Sequence, residues 1–291
     1  MMYAPAEDWV ELTRCAEAVG FDVVALSDHV FYPEKLESKY PYSADGRPAF
    51  APHQPWPDVW VMAGAMAAVT SRIRFTTNVY VLPARNPFVV AKAVGTAAFV
   101  SGGRVSLGVG AGWMREEFEA LEQPFDRRGA RMEEQIEVLR TLWGGGMVEH
   151  HGEFYDFDRL EIAPVPAEPV PILIGGHSER ALRRAARIGD GWVGVMYGFD
   201  EVTGYLERLR GYREEAGTAD RPFDVQVAVI DRLPTPDVCA ELDALGVTTL
   251  MTSAWMMAGL RYASCDENVG ALERFAADYI EPYRTLAEGS T

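Results

Sequence analysis

The residues best suited to chemistry sit where short apolar runs end. His29 follows Val23-Val24-Ala25-Leu26 and is preceded by Asp28. An imidazole at the end of a buried strand can accept or donate a proton near neutral pH, and the adjacent acid can orient it or bond a ligand. A packed histidine bonded to backbone has the same local signature, so both readings stand at this point. Thr77 and Asn78 close a second apolar run with polar groups that suit the edge of a ring, or simply a hydrophilic strand end. Two glycine-bearing segments, 102–113 and 172–180, each run from an aliphatic stretch into small residues and then into a helix pattern. Backbone bared of side chains at Gly110, Ala111 and Gly112, and again at Gly175, Gly176, His177 and Ser178, lets a ligand reach the amide N–H groups. Ser178 and Glu179 open an alanine-rich helix whose N-terminus favours an anion. Two such places on one chain point to a phosphate-bearing cofactor. The glycine spacing is not G-x-G-x-x-G and does not follow the first strand, which excludes a Rossmann dinucleotide site.

Trp113, Glu116 and Glu117 follow the first glycine segment. Adjacent residues on a helix point about 100° apart, so only one of the two acids can face a pocket; the other is a solvated first-turn acid complementing the helix dipole. Glu116 joins Asp28 and His29 as a candidate catalytic residue, while Trp113 and Tyr197 join the candidate cofactor contacts. Metal chemistry is not expected. Cys15, Cys239 and Cys265 are far apart with no CxxC, and the five histidines form no HExxH.

These positions need a repeated strand-then-helix scaffold. Strands are predicted near 22–26, 73–79, 104–109, 170–175, 191–195, 223–230 and 247–252, with helices near 8–19, 59–70, 87–100, 128–143, 178–188, 200–216, 235–245 and 267–286. Val19-Gly20, Ile188-Gly189 and Leu245-Gly246 each read as a helix stopped by a left-handed glycine before a strand. The pattern implies a parallel sheet in one α/β barrel domain spanning 1–291. Its first strand is truncated or missing, since Met1–Ala4 is only a stump, and a natural start several residues earlier is the expectation. Two long segments, 32–58 and 144–169, interrupt the repeat. Their aromatic content, including Tyr32, Tyr40, Tyr42, Trp56, Phe154, Tyr155 and Phe157, makes both expected substrate lids. Helices 59–70 and 87–100 are apolar nearly all round, so a homodimer through them is expected.

Charge and hydropathy narrow the function. With 27 Lys and Arg against 43 Asp and Glu, the formal charge is −16, which argues against nucleic acid and anionic membrane surfaces. No apolar run approaches the ~20 residues of a membrane span, and the first residues lack a signal-peptide pattern. The expectation is a cytoplasmic protein acting on a small molecule.

The ordered motifs Gly20-Phe21-Asp22 through Ser27-Asp28-His29, Gly102-Gly103-Arg104 to Gly112-Trp113, Glu116-Glu117-Phe118, Arg127-Arg128-Gly129, Leu142-Trp143, His151-Gly152-Glu153-Phe154-Tyr155, Pro171 to Gly176 and Arg184-Ala185-Ala186 to Asp190-Gly191-Trp192 carry a resemblance. The chain resembles the luciferase-like monooxygenase superfamily, and within it the branch that uses the deazaflavin coenzyme F420. The resemblance implies a (β/α)8 barrel with the cofactor at the carboxyl ends of the strands and its phosphate at the ends of the fourth and fifth. It places the Asp28-His29 pair at the reactive edge of the deazaflavin and implies a bulge or cis peptide near Asn78. The implied activity is F420-dependent hydride transfer to or from a small organic substrate, with His29 handling the proton. Arg180, Arg183, Arg184 and Arg187 then offer either a dock for the coenzyme's polyglutamate tail or an ordinary exposed helix face. The near alternative on the same fold is an FMN-dependent monooxygenase served by a separate reductase; a third is a non-catalytic flavin-binding paralogue.

Overall fold

The computed structural model describes residues 1–48 and 50–289; Ala49 of the 32–58 segment and the last two residues of the expected domain lie outside them. The strands are β1 (Val23–Leu26), β2 (Arg74–Thr77), β3 (Tyr80–Val81), β4 (Val105–Gly110), β5 (Val148–His151), β6 (Asp156–Leu160), β7 (Ile172–Gly175), β8 (Gly191–Tyr197), β9 (Asp224–Val229) and β10 (Thr249–Leu250). The helices are α1 (Trp9–Val19), α2 (Val59–Ala67), α3 (Pro87–Ser101), α4 (Arg115–Ala120), α5 (Arg128–Trp143), α6 (Glu179–Ile188), α7 (Phe199–Glu215), α8 (Pro236–Ala244), α9 (Ala254–Met257), α10 (Cys265–Phe275) and α11 (Glu281–Gly289).

Strands pair in parallel in the order β1-β2-β4-β7-β8-β9-β10, with β3 alongside β4. The helices connecting them cover the outside of a curled sheet, the consequence of right-handed crossovers between parallel strands. Inside, Phe75, Leu107, Ile172 and Trp192 are fully buried. The seven predicted parallel strands are all present, and β1 and β10 do not pair. The gap between them is filled by the first residues: the Met1 ammonium donates to the Ala25 carbonyl at 3.3 Å, the Tyr262 N–H to the Tyr3 carbonyl at 2.7 Å, and the Trp255 indole N–H to the Met2 carbonyl at 2.9 Å. The stump does by isolated backbone, side-chain and terminal hydrogen bonds part of what a first strand does by a ladder.

Two local readings need correction. Gly20 and Gly246 take left-handed φ values of 102° and 92°, as expected for helix stops, but Gly189 is extended, with φ −81°. A Cβ at Gly189 would come within 2.8 Å of the Ala185 carbonyl oxygen, so close approach and not handedness requires glycine there. Segment 144–169 is no lid. It folds into the antiparallel β5–β6 hairpin on the flanks of α3 and α5. The Glu134 carboxylate on α5 accepts the backbone N–H groups of Glu153, Phe154 and Tyr155, and Phe157 meets Phe88 edge-on.

Candidate active site at the barrel mouth

Parallel strands deliver their last residues to one end, so the residues after β1, β2, β4, β7 and β8 converge there. The Asn78–Val79 peptide is cis, in keeping with the resemblance. The Val79 side chain occupies the space over two of the glycines: a Cβ on Gly110 would lie 2.4 Å from Val79 Cγ2, and one on Gly175 2.5 Å from Val79 Cγ1. A Cβ on Gly112 would strike Val81 and Phe118, and its φ of 81° is left-handed as well. At these three glycines the space a Cβ would take is held by protein side chains. Gly176 differs. Its φ is 109°, and a Cβ there would meet only the Ala181 methyl, at 3.1 Å. Next to it Ser178 caps α6, accepting the Ala181 N–H at 3.2 Å, which aims the first-turn amides outward as an anion site does.

Asp28 is buried, but its oxygens are spent. Oδ2 accepts the Val81 N–H at 3.0 Å, and Oδ1 pairs with Arg85 at 2.8 Å. Burial pushes its pKa up, against the opposing pull of Arg85 and the Val81 amide. Asp28 thus ties the end of β1 to the β3 turn. Thr77 likewise turns inward, donating to the Gly108 carbonyl at 2.7 Å. Asn78 stays half-buried, its N–H bonded to the Leu26 carbonyl.

Of the two acids on α4, the structure brings Glu117 and not Glu116 to His29. Glu117 is 1% exposed; one oxygen accepts the Val30 N–H at 2.6 Å and the other lies 3.5 Å from His29 Nδ1. Glu116, one residue earlier and turned by the helical step, accepts the N–H groups of Glu37 and Ser38 at 2.7 and 3.0 Å. Burial would raise the Glu116 pKa, yet hydrogen bonds from the backbone and from Ser38 hold it below the usual carboxylate value. Its Oε1 pins the 32–58 loop, while its Oε2 is buried without a hydrogen-bond partner among the described residues.

That loop, the expected lid, packs over both histidines of the mouth. Phe50 and Trp56 stand on His29 with ring centroids at 4.9 and 5.1 Å, and Trp113 approaches the same imidazole at 6.0 Å. Tyr40 meets Trp113 edge-on at 5.2 Å. On the other side of the mouth Tyr42 stands on His177 at 5.3 Å, and His177 Nδ1 is 2.8 Å from the Tyr197 hydroxyl. Burial pushes the Tyr40 pKa up to about 12 and raises those of Tyr42 and Tyr197, so all three phenols keep their protons. Two buried polar atoms at the His29 end, His29 Nδ1 and Trp56 Nε1, have no hydrogen-bond partner among the described residues. Phe50 and Val79 escaped the sequence reading, and Trp56 entered it only as one of the loop's aromatic residues, because nothing in a loop's composition tells which side chains fold back. Ala111 and Trp113 are half-buried at the end of β4.

The arginine face on α6 is mostly neutralised. Arg183 pairs with Glu179 and Glu215, and Arg184 and Arg187 both pair with Glu133. Arg180 alone of the four is without an ion pair among the described residues, too little for a polyanion dock. Among those residues no cluster of three His, Cys, Asp or Glu could hold a metal, and no helix is long and apolar enough to cross a membrane.

Comparison with known proteins agrees with this architecture. Residues 2–288 match the luciferase-like monooxygenase family. An uncharacterised protein of Mycobacterium tuberculosis is 41% identical over 243 residues, covering 84% of this chain and 83% of that one. An F420-dependent glucose-6-phosphate dehydrogenase of Segniliparus rotundus is 35% identical over 188 residues, 63% of this chain and 51% of that one. The coenzyme F420-dependent tetrahydromethanopterin reductase of Methanopyrus kandleri superposes with a TM-score of 0.72 at 15% identity, covering 97% and 96% of the two chains. A curled parallel sheet with its polar strand ends gathered at one mouth, matched over nearly its whole length, places this chain in the luciferase-like monooxygenase family of oxidoreductases.

Proposed function

We propose that the protein transfers hydride between coenzyme F420 and a small organic substrate. The observation that carries this is a contrast across one mouth: an imidazole nitrogen without a hydrogen-bond partner among the described residues at the β1 end, and an open, Ser-capped helix start at the β7 end. The residues present fit a ring carrying a phosphate arm. Gly176, His177 and Ser178 would hold the phosphate; Trp113, Trp56 and Phe50 would border the ring beside His29. The similarity to F420-dependent dehydrogenases supports the deazaflavin as the ring. When bound, the coenzyme supplies the hydride donor or acceptor. His29 handles the accompanying proton at Nε2, the nitrogen not turned to Glu117, and the surrounding rings exclude water. Because Tyr42 and Phe50 rest on His177 and His29, the lid must lift for coenzyme to enter.

A second reading is an FMN-dependent monooxygenase with a separate reductase, favoured by the family's name and by the fact that the same helix start suits an FMN phosphate. Parallel fluorescence titrations with oxidised F420 and with FMN test the proposal. Binding of F420 with FMN much weaker is the expected outcome. A preference for FMN, with substrate-dependent consumption of dissolved oxygen, favours the second reading.

The molecule is further proposed to pair with a second copy through α2 and α3, whose outer sides expose Val61 (71%), Val89 (65%) and Phe99 (70%). Such a patch on a soluble surface marks a contact site. Light scattering at micromolar concentration is expected to give a dimer, and Val61→Glu with Phe99→Glu a monomer; a monomeric wild type contradicts the pairing.

A further inference from the structure

We infer that Glu117 is a positioning residue that fixes the tautomer of His29. This rests on the reading of His29 as the proton-handling residue, though its test does not. Glu117 is among the most buried acids of the chain, and its position is set by the Val30 N–H, which donates to Oε1 at 2.6 Å. That leaves Oε2 facing His29 Nδ1 across 3.5 Å, too long for a formed hydrogen bond. Nδ1 is itself buried and makes no hydrogen bond among the described residues. An unpaired buried polar nitrogen is costly, and a small shift of the imidazole removes the cost; contacts of this kind often tighten when a site is filled.

The groups around the ring leave Glu117 as the partner. Asp28, on the same strand end, is occupied by Arg85 and the Val81 N–H. From the lid come Phe50 and Trp56, and from the end of β4 Trp113, which bring apolar ring faces and an indole donor but no acceptor. A carboxylate only accepts, so Nδ1 must carry the hydrogen and Nε2 the lone pair. The neutral ring is thereby set as a base at Nε2. When Nε2 takes a proton, the imidazolium stands beside the Glu117 carboxylate.

Glu117→Gln reverses this arrangement with little change of shape. The Val30 N–H still needs an acceptor and takes the amide oxygen, so the amide NH2 is turned to His29. Nδ1 must then accept, and the hydrogen moves to Nε2. The test is a two-bond proton–nitrogen correlation spectrum of the full chain labelled with 15N-histidine, recorded without coenzyme at about pH 8, where an ordinary imidazole is neutral. His29→Asn assigns the signal. The expected result is an Nδ1–H tautomer in the wild type and an Nε2–H tautomer in Glu117→Gln. The same tautomer in both overturns the inference. Should the variant fail to fold, an Nε2–H tautomer in the wild type alone overturns it. Because no coenzyme is present, failure of F420 binding leaves this result standing. With coenzyme and substrate, Glu117→Gln is expected to lower kcat toward the ~10²–10⁴-fold worth of a positioned proton-transfer group, with coenzyme affinity unchanged.

Discussion

His29 and His177 stand at the ends of two strands of the same sheet, under the same lid, and their surroundings differ. His177 is satisfied: Nδ1 meets the Tyr197 hydroxyl at 2.8 Å, with Tyr42 and Tyr205 packed around the ring. His29 is enclosed just as closely by Phe50, Trp56 and Trp113, yet its Nδ1 has no hydrogen bond among the described residues. A satisfied histidine builds structure. An unsatisfied one, held in place by packing with an acid 3.5 Å away, is what the proposed proton transfer would use. On that proposal the mouth divides into a reacting end and an anchoring end.

The sharpest way to break this comparison is to exchange the losses. His29→Asn is expected to cut coenzyme-linked turnover by about 10²–10⁴-fold while coenzyme still binds. His177→Asn is expected to weaken coenzyme binding and to leave kcat within a few-fold, read by steady-state kinetics over a panel of alcohols, aldehydes and ketones. Equal losses in kcat from both variants erase the distinction between the two ends.

A second test asks what the glycines at the mouth are for. Gly110→Ala sets a methyl 2.4 Å from Val79 and is expected to cost about 1–3 kcal/mol by overpacking, seen in urea unfolding. Val79→Ala in the same chain should recover part of that loss, since contacting sites couple. Gly176→Ala meets only the Ala181 methyl, but its left-handed φ makes it strained as well, so its effect on coenzyme binding should exceed its effect on the unfolding midpoint relative to Gly110→Ala.

The smallest effect belongs to an acid away from both histidines. Glu17 accepts the N–H groups of Ser71, Arg72 and Ile73. Burial alone would raise its pKa, but these amides hold it down at about 2, against a usual 4.5. A depressed carboxylate stabilises the fold above its unfolded pKa, and the contribution is lost as pH falls through the window from 4.5 to about 2. Glu17→Gln should therefore be less stable than the wild type at neutral pH, with the gap closing across that window. Turnover at neutral pH is expected to be unchanged, in contrast to both mouth histidines.

Much of this architecture is legible in the residues. The strand ends follow from apolar runs broken by Gly, Ser and Asn, and the left-handed stops at Gly20 and Gly246 from their place after an aliphatic helix end. His29 is legible as a strand-end imidazole, but its missing partner is not, because Glu117 is 88 positions away in the chain. Glu116 and Glu117 cannot be told apart because α4 is under two turns long and offers no apolar stripe to set its phase. At Gly110 and Gly175 a sequence shows that a side chain is absent, not what fills the space; here Val79 does. The β5–β6 hairpin was hidden for a different reason. Its strands are short and polar, and they are anchored by one carboxylate, Glu134, on a distant helix.

The most direct measurement is a fluorescence titration of F420 into the wild type and into Ser178→Glu. Ser178 is exposed at the start of α6, so a carboxylate there meets the phosphate without disturbing the core. Saturable binding to the wild type is expected, with affinity reduced by about tenfold or more in the variant. Equal affinity for the two proteins, or no binding by the wild type, contradicts a coenzyme phosphate at the α6 start.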